Sequence, residues 1–107
     1  MHSKFDHRGR FTDPSLLIMA SLADGAKHGY AIMTDVAEFS GVSMEPGTLY
    51  GALTRLEREG WVEALTAESR RRPYRLTATG HEVLRQQLMT MNQVVTTAQR
   101  RIAVAES

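Results

Sequence analysis

The chain has 107 residues, of which 42% are hydrophobic and 23% charged, and its formal net charge is +1. That is room for one small soluble domain, with no excess of charge to announce nucleic acid, so the placement of charges has to carry that question. With no cysteine, disulfides, thiolate metal sites and cysteine nucleophiles are excluded; no apolar run approaches the ~20 residues of a membrane span.

Residues 1–12 read as a polar, partly basic arm, without the apolar stretch of a signal peptide, so a cytoplasmic protein is expected. Asp13-Pro14 has the form of a helix start, with Asp as N-cap and Pro in the first turn. Leu16, Met19, Ala20 and Ala23 then recur at helical spacing. Leu17, Ile18 and Leu22 cover the other faces, so this helix should be central to the core. Asp24-Gly25 ends it. A second helix is predicted over 28–40, with an apolar stripe of Ile32, Met33, Val36 and Phe39 and a stop at Gly41.

The third helix, about 46–59, opens on Pro46 and closes at Gly60. Leu49, Leu53 and Leu56 line one face; Gly47, Thr48, Gly51, Thr54, Arg55 and Arg58 line the other. Gly51 is either tolerated or kept so that a partner can approach the backbone. Residues 61–67 and 71–77 read as paired strands around the turn Glu68-Ser69-Arg70, and Pro73 suits an edge strand. Three arginines, Arg70, Arg71 and Arg72, stand at the tip. Across residues 54–75 six arginines face four acids, a local basic excess.

Thr77 and Thr79 are both plausible N-caps for the last helix, and Thr79 with Glu82 has capping-box spacing. That helix should run from about Gly80 to Val104. Leu84, Leu88, Met91, Val95, Ala98 and Ile102 are spaced 4, 3, 4, 3, 4, which is a coiled-coil seam. The helix outruns the small core, so a homodimer through this seam is expected; the alternative is that the seam folds back on the first helix.

The outline is mainly α with a β-hairpin: a winged helix-turn-helix over 13–79 followed by a dimerisation helix over 80–107. In four places it resembles the PadR family of bacterial transcriptional regulators. The matching pieces are Lys27-His28-Gly29-Tyr30, Pro46-Gly47-Thr48-Leu49-Tyr50, the run from Leu53 to Val62, and the run from Arg72 to Gly80. They span about residues 14–82 in family order. Gly51 stands where the family usually has proline, and Pro73 where it has a second aromatic; both departures bear on the DNA-facing surface and leave the fold intact. Only one helix follows the wing, as in the short subfamily.

The resemblance implies a dimeric repressor whose two winged helices enter the half-sites of a palindromic double-stranded operator. Gly47, Thr48 and Tyr50 would meet phosphate at the helix N-terminus. Tyr30 either reaches the backbone as the family's tyrosine does or packs in the core. Arg55 and Arg58 suit guanine or phosphate, with Gly51 and Thr54 on the same face, and Arg70, Arg71 and Arg72 suit phosphates or the minor groove. Trp61 reads as core.

No cofactor is required, although a small-molecule or divalent-metal effector is compatible with the reading. The last helix carries no Phe, Trp or Tyr, so a pocket for flat drugs between aromatic rings is not expected. His2, His7, His81 and Glu82 are the candidate metal ligands, and they match no metal-binding spacing. The rival functions are a metal-responsive repressor of the same fold and a winged-helix protein-interaction module. No arrangement of Ser, His, Asp or Glu resembles a catalytic site.

Overall fold

Asp13 caps the first helix as its position predicts: its carboxylate accepts the Ser15 N–H at 2.8 Å, with Pro14 at the helix start. The computed structural model describes residues 13–66 and 70–107. Among these the order is α1 (Pro14–Ser21) with a 3-10 turn (Leu22–Asp24), β1 (Lys27–His28), α2 (Gly29–Ser40), α3 (Pro46–Glu59), β2 (Val62–Ala64), β3 (Pro73–Leu76) and α4 (Ala78–Glu106). The expected arm over 1–12 and the wing residues Glu68 and Ser69 lie outside the described residues.

The core is one cluster. Leu17, Ile18, Met19 and Leu22 of the first helical segment meet Ile32 and Val36 of α2 and Leu49, Ala52, Leu53 and Leu56 of α3. Val62, Tyr74 and Leu76 close it from the wing, and Leu84 from α4. Each fully buried aliphatic side chain contributes about 1.5–3 kcal/mol. Ser21 is the buried polar residue, and its hydroxyl donates to Asp35 Oδ2 at 2.7 Å. Ala23, placed on the first helix's apolar stripe by its spacing, is exposed, because the chain has tightened into the 3-10 turn there. Phe39 is also exposed rather than part of the α2 stripe. Ile32 and Val36 already fill the contact with α1 and α3, and one turn later the helix has passed the core.

The sheet differs from the expected hairpin. It has three antiparallel strands in the order β1-β3-β2, with Lys27 opposite Tyr74 and His28 opposite Pro73. Pro73 is therefore on the central strand, not an edge. It is tolerated there as the first residue of the strand, where its carbonyl accepts the Leu65 N–H at 2.8 Å. The described wing strands, Val62–Ala64 and Pro73–Leu76, are shorter than the runs 61–67 and 71–77.

The stalk of the wing is where the parts are locked together. Gly60 ends α3 in the left-handed region at φ 80°; its N–H reaches Glu57 O and the Trp61 N–H reaches Leu56 O, a Schellman closure. Thr77 donates its hydroxyl to Gly60 O at 2.6 Å and its N–H to Trp61 O at 3.0 Å. The same hydroxyl oxygen caps α4 by accepting the Gly80 N–H at 3.0 Å. The Thr79–Glu82 capping box is thus not made: Thr77 is the cap, and Glu82 pairs with Arg85 and Gln86 instead.

Gly80 is buried against this junction, and a Cβ there would collide with the Trp61 carbonyl. Backbone cannot step aside as a side chain can. Gly80→Ala should therefore lose about 1–3 kcal/mol of stability despite alanine's better helix propensity. Urea denaturation checks this, and a midpoint at or above wild type would refute the close approach.

Candidate nucleic-acid interface

Side chains cap three of the helices: Asp13 on α1, His28 on α2 and Thr77 on α4. The α3 N-terminus has no side-chain cap, and its first turn holds no acidic residue. Pro46 has no N–H to satisfy, and Gly47 and Thr48 are exposed beside it. Free N–H groups and the positive end of the helix dipole are left facing solvent, an arrangement suited to phosphate.

Along α3 the two faces separate cleanly. Leu49, Ala52, Leu53 and Leu56 are buried, while Gly47, Thr48, Gly51, Thr54, Arg55 and Arg58 are exposed. Thr54 donates its hydroxyl to Tyr50 O at 2.9 Å, so its proton is engaged within the helix. The site where a Cβ would stand on Gly51 has no closer neighbour than the Arg55 guanidinium, at 3.9 Å. Nothing among the described residues therefore requires glycine at this position. Gly51→Ala should raise stability by up to about 1 kcal/mol, while weakening DNA binding if the backbone there meets a partner. Paired urea and binding titrations test this; stabilisation without loss of binding would mean that Gly51 is merely tolerated.

Tyr50 performs two tasks. It is 48% exposed, yet its ring end packs on Gly29, where a side chain would displace it. It also lies close enough to Tyr74 to act on it. Burial, then Glu57 and Tyr50, push the Tyr74 phenol above its ordinary range. Helix α3 is thereby braced against α2 and the wing. Tyr30 is 70% exposed at the start of α2, which removes it from the core.

Arg55, Arg58, Arg70, Arg71 and Arg72 are all exposed, and none forms an ion pair with another described residue. Arg75 differs, since its guanidinium meets Glu63 at 2.5 Å across the strand pair. Five of the six local arginines are left available. Arg71 lies 3.3 Å from the His28 ring, a juxtaposition made by the pairing of β1 with β3.

On α4 the seam divides. Leu84 is buried in the protein's own core. Leu88, Met91, Val95 and Ile102 are 44–57% exposed, and Ala98 is exposed with them. The N-terminal half of α4 touches α1; the described residues beyond it are mostly exposed. His81 is partly buried and Glu82 is engaged with Arg85; His2 and His7 lie outside the described residues. No group of three or more metal-ligating side chains occurs among the described residues, and no helix there is long and apolar enough to cross a membrane.

The model of the PadR-like transcriptional regulator family matches residues 18–86, a stretch that runs from α1 through the wing into α4. The chain belongs to the PadR-like family. Its fold matches a PadR-family transcription regulator from Clostridium difficile, 23% identical over 83% of this chain and 97% of that one, with a TM-score of 0.76. It also matches RosR of H. salinarum, 26% identical over 94% and 99% of the two chains, with a TM-score of 0.68. In sequence it is 43% identical over 82 residues to an uncharacterised protein of transposon TN4556 in Streptomyces fradiae. The match covers 77% of this PadR-family chain but spans only 24% of that relative. The fold is the winged helix of the PadR-like transcriptional regulators.

Proposed function

We propose that this PadR-family chain is a homodimeric, sequence-specific DNA-binding regulator that represses transcription until an effector releases it. The observation that supports the reading best is the solvent face built by α3 and the wing. It combines an uncapped helix N-terminus, a polar groove-sized face and five exposed arginines without described carboxylate partners. Helix α3 would lie in the major groove, and Arg70, Arg71 and Arg72 would follow the adjoining backbone. The exposed half of α4, with Leu88, Met91, Val95, Ala98 and Ile102, would be covered by the same helix of a second copy. Two-fold symmetry of that pair would match a palindromic operator. An effector could act through the cleft lined by Leu16, Met19, Arg55, Leu56 and Trp61, which adjoins both α1 and the recognition helix.

The test is binding to a duplex selected from genomic fragments by the purified protein, measured at several salt concentrations. DNA binding predicts a linear fall of log affinity with log salt. Arg55→Ala and Arg58→Ala should each cost roughly 1–3 kcal/mol if they read a base, with sequence preference relaxed at one position. A phosphate contact would instead weaken all sequences alike. Two alanine variants that bind as tightly as wild type would remove α3 as the reading face; no salt-dependent binding at all would favour a protein-interaction role.

A further inference from the structure

His28 and Arg71 are far apart in the chain, and the pairing of β1 with β3 brings them together. The His28 ring caps α2, with Nδ1 accepting the Ala31 N–H at 3.3 Å. A neutral imidazole carries one proton, so an accepting Nδ1 places that proton on Nε2. Nε2 lies 3.3 Å from the Arg71 guanidinium, which has donors and no acceptor. In this tautomer the contact joins two donors and is not a hydrogen bond. The other tautomer only moves the conflict, because Nδ1–H would then face the Ala31 N–H. A backbone N–H in the first turn of a helix is fixed, whereas Arg71 is an exposed side chain, so the cap decides the tautomer.

The result is a two-pronged donor at the surface, with no acceptor shared by the two prongs among the described residues. Arg71 has no ion pair among the described residues. Resting on the DNA-binding reading above, we propose that His28 Nε2–H and the Arg71 guanidinium grip one phosphate of the DNA backbone between them. Phosphate oxygens only accept, so they suit a pair of donors without reading sequence. His28 would then tie the wing to the helix-turn-helix across a single phosphate, a role distinct from capping.

The cap can be kept while the donor is removed. Asn is among the best N-cap residues, and its amide is too short to take the place of Nε2–H. Binding of His28→Asn, Arg71→Ala and the double variant to the selected duplex would be compared across salt concentrations. His28→Asn should weaken binding about tenfold, as for loss of a hydrogen bond to a charged group, and leave the salt slope unchanged. Arg71→Ala should lower the slope by about one unit. In the Arg71→Ala background His28→Asn should change affinity by less than about twofold, since partners in one network are not additive.

Replacing phosphates one at a time by neutral methylphosphonate should locate one position that weakens wild type and is indifferent to the double variant. Should His28→Asn fold poorly, His28→Ser provides the second arm: it also caps α2 and lacks Nε2–H, so the same loss in wild type and the same indifference in the Arg71→Ala background are expected. Equal losses from His28→Asn in both backgrounds, or none in either, would overturn the proposal while leaving DNA binding intact. A wild type that binds no DNA would overturn both.

Discussion

Glutamate at both Leu88 and Met91 should turn a dimer into a folded monomer and weaken operator binding by at least roughly 100-fold, the gain that joint engagement of two half-sites supplies. The two side chains are 47% and 44% exposed in the single chain, so its own core does not depend on them. Across a dimer seam the same positions would be buried, and an unpaired carboxylate there is costly. Leu84→Glu is the informative contrast. Leu84 begins the same stripe but is buried in the protomer's core, so that variant should unfold rather than dissociate. Sedimentation and urea titration separate the two outcomes. Wild type sedimenting as a folded monomer at micromolar concentration would defeat the dimer reading, as would a double variant that stays dimeric.

Replacing Arg70, Arg71 and Arg72 together by alanine should reduce affinity by about 100-fold at moderate salt. It should also flatten the log–log salt dependence by up to about 2.7 units, three contacts at about 0.9 each. The three guanidinium groups are exposed at the wing tip, without the carboxylate that neutralises Arg75. Side chains in such a position meet phosphates before they meet base edges, so selected and random duplexes should weaken together. Stability should change little, because none of the three contributes to the core. If the triple variant kept its salt slope and chose a different operator, the wing would be reading sequence and the assignment would fail. Loss of a single unit of slope would mean that only one of the three, with Arg71 the first to examine, touches the backbone.

The helices were legible in the sequence because their determinants are local. Asp13 before Pro14, Pro46 with Gly60, and the leucine spacing of α3 each act within a few residues, and the structure has them in those roles. The two faces of α3 follow from the same periodicity, so the exposed positions of Thr48, Gly51, Arg55 and Arg58 could be read in advance. Whether those residues touch DNA is a matter of a second molecule, which neither periodicity nor fold supplies.

What only the tertiary structure decided is non-local. A two-residue strand has no periodicity to detect, so β1 went unseen, and with it the central place of Pro73 and the meeting of His28 with Arg71. Thr77 and Thr79 were equivalent as caps until the wing's return brought Thr77 onto Gly60 and Trp61. Leu84 and Leu88 belong to one stripe by spacing, but the core ends between them, so the first is buried at 3% exposure and the second is left at 47%. Short-range patterns determine which segments form helices and which faces are apolar; where each face stops being covered depends on how the segments pack, which is a property of the whole chain.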